Sequence, residues 1–237
     1  MPPRLLAIGD IHGQADAFDT LLSHINPTPQ DRIILLGDYV TGGPDSARVL
    51  DRVADLLARG NTVALRGNHD LVFEQAVASQ ERYDELSDGW PGLYRPETAA
   101  SYRKIGVTPT RTGILARHGH LFHKFKNWHE EPDAIFVHAR VDPMQSMQNQ
   151  QIETLIWLKI DGPCQNHISQ KPIICGHTRQ RDGIPRDFGG AICIDTDAKG
   201  GGWLTCLDVN SKQCWQTMPD GRVREIEISK AEPQPKP

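Results

Sequence analysis

Three glycine-containing turns carry carboxylate, amide and imidazole groups at similar points along the sequence. Each turn ends a short apolar run: GDIHG at residues 9–13, GD at 37–38 and GNHD at 67–70. Two further imidazoles, His138 and His177, lie at the ends of the apolar runs AIFVHA and IICGHT. The six candidate ligands offer oxygen and nitrogen but no thiolate, which suits divalent manganese, iron or zinc. They are Asp10, His12, Asp38, Asn68, His138 and His177.

These turns need a scaffold that brings them to one place, and the surrounding pattern predicts one. The apolar run RLLAIGD is followed by a segment with helical spacing of Phe18, Leu21 and Ile25. The runs RIILLGDYV and NTVALRGNHD begin two similar units. Strands that alternate with helices predict a parallel sheet, and ligands collect at the carboxyl ends of such strands. The three turns should therefore share one edge.

The pattern of apolar residues changes twice in the rest of the chain. Residues 71–133 are predicted to be a helical insertion that flanks the site. After it, short apolar strands follow one another without long helices, which indicates a second, mixed sheet. We therefore predict an α/β fold in which two mixed β-sheets pack as a sandwich flanked by helices. A single domain is expected to span residues 1–229, with a disordered tail at 230–237.

Composition narrows the possible partners. The 237 residues contain 38% hydrophobic residues and carry a net charge of −4 with both signs interspersed. No basic face is available for a nucleic acid polymer. The N-terminal apolar run is too short for a membrane span or a signal segment, so we expect a cytoplasmic protein without a membrane partner. Five cysteines without a Cys-x-x-Cys pair indicate reduced thiols. The oligomeric state is left open.

The motifs GDIHG, GDYVTGG, GNHD, VHAR and CGHT resemble those of the calcineurin-like metallophosphoesterases. The resemblance is to the phosphoprotein phosphatase branch, which includes bacterial serine/threonine protein phosphatases. It implies the fold of that family and two divalent ions, manganese before iron or zinc. Asp38 would bridge the ions, a hydroxide held between them would attack phosphorus, and His69 would act as general acid. One ion would be bound by Asp10, His12 and Asp38, and the other by Asp38, Asn68, His138 and His177.

The second motif departs from the family pattern. Thr41 and Gly42 stand where the family has an aspartate that orients the catalytic histidine and an arginine that holds the phosphate. Lys159 replaces a further arginine, so a bidentate fork becomes a point charge. Arg140 directly follows the His138-Ala139 pair. We therefore predict that Arg140 and Lys159 bind the substrate.

Three functions are compatible with this pattern. The resemblance favours a phosphomonoesterase similar to bacterial serine/threonine protein phosphatases, acting on a phosphorylated protein or a small phosphoester. The GNHD form of the third motif, and the changed residues at the positions that bind phosphate in the family, also fit a symmetrical dinucleoside polyphosphate hydrolase or a phosphodiesterase. The loss of aspartate and arginine at Thr41 and Gly42 allows a third hypothesis, a metal-binding pseudophosphatase that recognises a phosphorylated partner.

Overall fold

Two six-stranded mixed sheets pack face to face. The computed structural model describes residues 2–81 and 96–231. The first sheet has the strand order β11-β10-β9-β1-β2-β3 and the second β12-β7-β8-β6-β5-β4. The strands are β1 Leu5–Ile8, β2 Arg32–Leu35, β3 Thr62–Ala64, β4 Trp128–Glu130, β5 Ile135–Val137, β6 Ile173–Cys175, β7 Arg186–Asp187, β8 Ala191–Cys193, β9 Leu204–Asp208, β10 Cys214–Thr217, β11 Val223–Ile226 and β12 Ser229–Lys230.

Helices cover the outer side of the first sheet. Strand residues alternate between the two faces of a sheet. Leu6 and Ile8 therefore pack with the helices, whereas Leu5 and Ala7 pack against the second sheet. Both faces of β1 are buried, which explains its continuous apolar run. The α-helices of the described residues are α1 Ala15–Ile25, α2 Ser46–Ala58, α3 Asn68–Ala78, α4 Pro96–Lys104, α5 Arg111–Phe122 and α6 Ile152–Ile156.

The predicted sandwich of mixed sheets is confirmed, but the late strands β9, β10 and β11 belong to the first sheet. Strands β1, β2 and β3 run parallel, as do β5, β6 and β8. The short apolar strands after residue 133, which include WLTCLDVN and REIEIS, were expected in the second sheet. Instead β9 pairs antiparallel with β1, and β10 and β11 continue the first sheet. The other edge of β1 is taken by β2, so β9 extends the sheet at the remaining edge and the local β9–β10 pairing carries it outward.

The predicted helical insertion at 71–133 is helical over much of its described part. Helices α3, α4 and α5 contribute to it, and α3 begins within the GNHD motif at Asn68. The segment ends in β4, an edge strand that pairs antiparallel with β5. Part of the insertion, residues 82–95, lies outside the described residues.

The chain end predicted as a disordered tail from residue 230 also overlaps the second sheet. Ser229 and Lys230 pair in parallel with β7, so the sheet continues one residue beyond the expected boundary. Residues 232–237 lie outside the described residues. The single domain over 1–229 stays a prediction.

Within residues 2–81 and 96–231, no helix is both long and apolar enough to cross a membrane.

Candidate metal centre and active site

The predicted ligands meet in a cleft at the carboxyl ends of strands from both sheets. Asp10, Asp38 and Asn68 follow β1, β2 and β3, whereas His138 and His177 follow β5 and β6. The cleft has a volume of about 280 Å³. It is lined by Asp10, His12, Asp38, Asn68, His69, Trp157, Lys159, His177, Arg179, Asp195 and Lys199. His138 is fully buried behind this lining.

Two groups of side chains are close enough to hold metal ions. The ligand atoms of His12, Asp38 and His69 all lie within 4.8 Å of one another, and so do those of Asp38, His138 and His177. Asp38 belongs to both groups, the position expected of a bridging ligand. Asn68 joins the second group, because its Oδ1 lies 3.1 Å from Nε2 of His138.

Asp10 joins the first group of ligands. Its Oδ2 lies 4.0 Å from Nε2 of His12. Both of its carboxylate oxygens also accept the backbone N–H of His177, at 3.2 and 3.1 Å. The structure thus brings all six predicted ligands together, and their binding of metal stays a prediction.

The three histidines predicted as ligands each use one ring nitrogen to hold a backbone carbonyl. Nδ1 of His12 lies 3.0 Å from the carbonyl oxygen of Thr41, and Nδ1 of His138 lies 2.9 Å from that of Leu36. Nε2 of His177 lies 2.9 Å from the carbonyl oxygen of Trp157. A carbonyl only accepts, so the bonded nitrogen must carry the proton. With that proton fixed, a neutral ring can offer the lone pair of its other nitrogen to a metal ion, as a metal-binding imidazole requires.

The carboxylates of the cleft are buried close together. Burial, and then the charges of Asp195 and Asp38, raise the pKa of Asp10 well above its usual value. Burial likewise raises the pKa of Asp195, and its Oδ2 has no hydrogen-bond partner among the described residues. For Asp38 burial alone would raise the pKa, but His138, His69 and His12 outweigh it and lower the pKa. Crowded, partly unsatisfied carboxylates of this kind fit a bound cation.

Backbone strain also concentrates here. His12, Asp38 and His177 have φ angles of 48°, 53° and 61°, in the left-handed region that costs a non-glycine residue roughly 1–2 kcal/mol. Such strain persists where the surrounding structure fixes the geometry, and it clusters at functional sites. Three ligands are therefore held in conformations that the isolated chain would avoid.

Asp70 of the GNHD motif locks two of the turns together. Its carboxylate accepts the backbone N–H groups of Asp38, Tyr39 and Gly67, at 2.6, 2.9 and 2.9 Å. The backbone N–H of His69 in turn donates to Oδ1 of Asp38, at 2.9 Å. Asp70 thus fixes the position of the shared ligand without facing the cleft.

His69 has two side-chain partners. Oγ1 of Thr41 lies 2.6 Å from its Nδ1, and Nζ of Lys199 lies 3.0 Å from its Nε2. An ammonium can only donate, so Nε2 accepts and Nδ1 carries the proton that is donated to Thr41. Burial, together with nearby cationic groups, lowers the pKa of His69 to about 3. Thr41 therefore occupies the orienting position that the family gives to an aspartate.

The two predicted substrate contacts are placed differently. Lys159 lines the cleft. Nη1 of Arg140 instead donates to the carbonyl oxygen of Lys159, at 3.3 Å, and lies 3.6 Å from Oδ1 of Asp161. Arg140 lines a separate cavity of about 300 Å³ with Val141 and Cys164 among its walls. The structure thus does not bring Arg140 to the lining of the metal cleft.

Four residues of the cleft lining were not predicted as site residues by the sequence analysis, namely Trp157, Arg179, Asp195 and Lys199. Asp195 ends the apolar run AICID, the same signal that identified the other ligands, and it could have been found on that basis. Lys199 follows a turn and ends no apolar run. No sequence signal connects it with a histidine 130 positions earlier.

Comparison with known proteins agrees with this geometry. A family model described as calcineurin-like phosphoesterase matches residues 3–193. A symmetrical bis(5'-nucleosyl)-tetraphosphatase of Acidovorax sp. (strain JS42) is 36% identical over 143 residues, which is 59% of this chain and 44% of the relative. Its counterpart in Delftia acidovorans is 33% identical over 151 residues, 61% of this chain and 47% of the relative. The chain matches less than half the length of these relatives.

Solved structures share the fold at low sequence identity. A candidate diadenosine tetraphosphatase superposes with a TM-score of 0.59 at 18% identity and covers 97% of this chain and 95% of its own. A cold-active protein-tyrosine phosphatase of a Shewanella species gives a TM-score of 0.65 at 15% identity, over 96% and 81% of the two chains. At these identities the likeness concerns the fold. Because the family model extends over most of the sequence, the chain belongs to the calcineurin-like phosphoesterase family.

Proposed function

We propose that the chain is a metal-dependent hydrolase of dinucleoside polyphosphates. The observation that carries this proposal is the convergence of six oxygen and nitrogen donors on one cleft. The chain that forms this cleft is similar to symmetrical bis(5'-nucleosyl)-tetraphosphatases. The sequence analysis ranked a phosphomonoesterase first and this activity second. The names of the curated relatives favour the second.

The donor set fits two divalent ions. Asp10, His12 and Asp38 would hold one, and Asp38, Asn68, His138 and His177 the other, with manganese as the first candidate. When bound, such ions neutralise the charge of a phosphate group and lower the pKa of bound water. The protein contributes the fixed tautomers and the crowded carboxylates.

The surroundings of His69 support a phosphoanhydride substrate. The ring donates its proton to Thr41 and accepts from Lys199, so no proton on Nε2 faces the cleft. A leaving nucleoside phosphate needs little protonation, because the second pKa of phosphate is about 6. The alkoxide that leaves a phosphoserine is far more basic and depends on a general acid. We propose that His69 assists departure of the leaving group indirectly, because its Nε2 holds the ammonium of Lys199, which can donate a hydrogen bond to the leaving oxygen.

The test compares three substrates at equal manganese concentration. These are diadenosine tetraphosphate, para-nitrophenyl phosphate and a phosphoserine peptide. We expect the highest kcat/KM for the tetraphosphate. Symmetrical cleavage of its central P–O–P bridge by one water molecule gives two ADP molecules, whereas asymmetrical cleavage gives ATP and AMP. Nucleotide chromatography separates these products.

Two variants serve as controls. Asp38→Asn removes charge from the shared ligand, and His69→Asn removes the imidazole, so both should lose most of the turnover. A higher kcat/KM for the phosphopeptide than for the tetraphosphate would contradict the proposal and favour the phosphomonoesterase. Absence of turnover on all three substrates, despite metal binding, would favour the pseudophosphatase.

A further inference from the structure

Lys199 lies over Gly42, the position at which the second motif lacks its arginine. A Cβ built on Gly42 would stand 2.8 Å from Cγ of Lys199 and 3.3 Å from its Cδ and Cε. Contacts this short force the neighbour to move. The aliphatic stem of Lys199 therefore fills the space that a side chain at position 42 would need. The cationic side chain next to Gly42 thus comes from the turn that carries Lys199 and not from the second motif.

The charged end of this lysine lies at the chemical centre of the cleft. Nζ of Lys199 is 3.0 Å from Nε2 of His69, and the side chain lines the same cleft as His12 and Asp38. Lys199 is half-buried, so its charge is less screened by water than that of an exposed lysine. Whatever acceptors it contacts, its positive charge acts on an anion that enters beside His69.

The turn that carries Lys199 is held in place by its surroundings. Ala198 is buried, and its carbonyl oxygen accepts a hydrogen bond from Nε2 of Gln14 at 3.2 Å. The backbone N–H of Asp197 donates to Oδ1 of Asp195 at 3.0 Å. The lysine therefore starts from a fixed backbone. Pre-organisation of this kind lowers the entropic cost of binding a ligand.

The other cationic side chains of the cleft are less suited to binding an anion beside His69. Within the described part of the chain, the lining contains three cationic side chains, Lys159, Arg179 and Lys199. Arg179 is exposed and pairs with Asp197 at 3.2 Å. Lys159 is also exposed. Only Lys199 combines partial burial with a contact to His69.

We propose that Lys199 binds a substrate phosphate in place of the arginine that is absent at Gly42. This inference rests on the proposed function in one respect, namely that the cleft receives a phosphate group. A guanidinium is a rigid fork that matches one phosphate, whereas an ammonium is a compact charge on a flexible stem. The exchange thus suits a chain of phosphates, along which the cation can contact successive oxygens.

The test measures binding of inorganic phosphate to the manganese-loaded full chain by isothermal titration calorimetry. Lys199→Met keeps the length of the stem but removes the charge, and we expect at least tenfold weaker binding. Lys199→Arg keeps the charge and should remain within about threefold of the wild type. Lys124→Met, at an exposed lysine just beyond α5, is the matched control and should bind phosphate as the wild type does. Manganese affinity and Tm are measured for each variant.

A double-mutant cycle tests the contact with Gly42. Gly42 has a φ angle of 104°, so Gly42→Ala carries backbone strain in every background. That strain cancels in the cycle, and only the contact between the two positions remains. Gly42→Ala should weaken phosphate binding when Lys199 is present. It should leave phosphate binding unchanged in the Lys199→Ala background.

Several outcomes would overturn the inference. They are absence of phosphate binding by the wild type, equal binding by Lys199→Met, or a loss that appears with Lys159→Met instead. The result is independent of the polyphosphate assay. If Lys199→Met loses phosphate binding but the wild type does not cleave diadenosine tetraphosphate, the proposed function fails and the role of Lys199 stands.

Discussion

Replacement of Thr41 by valine removes one hydroxyl group from the surroundings of His69 and little else. Thr41 is fully buried and has a φ angle of 65°. Valine has the same shape and is also β-branched, so the backbone strain is the same in both proteins. The backbone N–H of residue 41 keeps its bond to Oγ of Ser46. The variant therefore isolates the 2.6 Å contact between Oγ1 of Thr41 and Nδ1 of His69.

The expected effect follows from that contact. Loss of a hydrogen bond costs about 0.5–1.5 kcal/mol, and a fully buried donor left unsatisfied costs more. His69 is only partly buried, so water can take over some of the bond. A cost of about 1 kcal/mol in ring orientation corresponds to about a fivefold lower rate. We expect kcat to fall by this factor with little change in KM, because Thr41 does not line the cleft.

The assay is manganese-dependent turnover of diadenosine tetraphosphate, with Thr41→Ser as the control that keeps the hydroxyl. Nitrogen-15 NMR of the His69 ring gives a second measurement. The proton should reside on Nδ1 in the wild type and shift in part to Nε2 in the valine variant. If Thr41→Val turned over substrate as fast as Thr41→Ser, with an unchanged tautomer, the assignment of Thr41 as the positioning residue would be refuted.

Two further substitutions test the supporting structure. A Cβ on Gly176 would overlap Oδ1 of Asp10, so Gly176→Ala should displace that carboxylate by about 1 Å and weaken manganese binding about 10- to 100-fold in calorimetry. Gly162→Ala, whose Cβ meets nothing within 4 Å, should bind manganese as the wild type does. Equal manganese affinities of the two variants would contradict the effect expected at Gly176. Burial alone would raise the pKa of Asp31, but hydrogen bonds from Arg4 and from backbone N–H groups outweigh it and lower the pKa. The carboxylate therefore stabilises the fold above the unfolded pKa of about 3.9, and this stabilisation disappears as the pH falls through the folded pKa. Asp31→Asn should therefore lower the free energy of unfolding by about 2 kcal/mol at pH 7, and the gap in urea unfolding should close at low pH; a constant gap would show that charge is not the cause.

The convergence of the six predicted ligands could be predicted because its signals are local. Each ligand loop directly follows an apolar strand, and the carboxyl ends of parallel strands must meet at one edge. The ligand sets were proposed through the family resemblance, and the structure brings all six residues together. His69 was identified in the same way, since it lies next to Asn68 in the GNHD motif.

The contact between Lys199 and His69 could not be predicted, because it depends on distant parts of the chain. Arg140 is two residues from His138, which suggested that it reaches the cleft. Its backbone N–H instead bonds to the carbonyl oxygen of Thr154, and the guanidinium turns towards Lys159 and Asp161. Lys199 reaches His69 through a turn whose position depends on β8 and β9. The membership of β9 in the first sheet was itself predicted wrongly, since edge pairing is decided by tertiary packing.

The predicted ligands come from both sheets, and this bears on how the molecule unfolds. Asp10 and Asp38 follow strands of the first sheet, whereas His138 and His177 follow strands of the second. Ions bound between them would act as a cross-link between the two halves of the sandwich. Chelation would leave the carboxylates Asp10 and Asp38 crowded at this edge without a counter-charge. We expect faster amide hydrogen exchange at the ends of β5 and β6, so that the sandwich opens from its metal edge before its core melts.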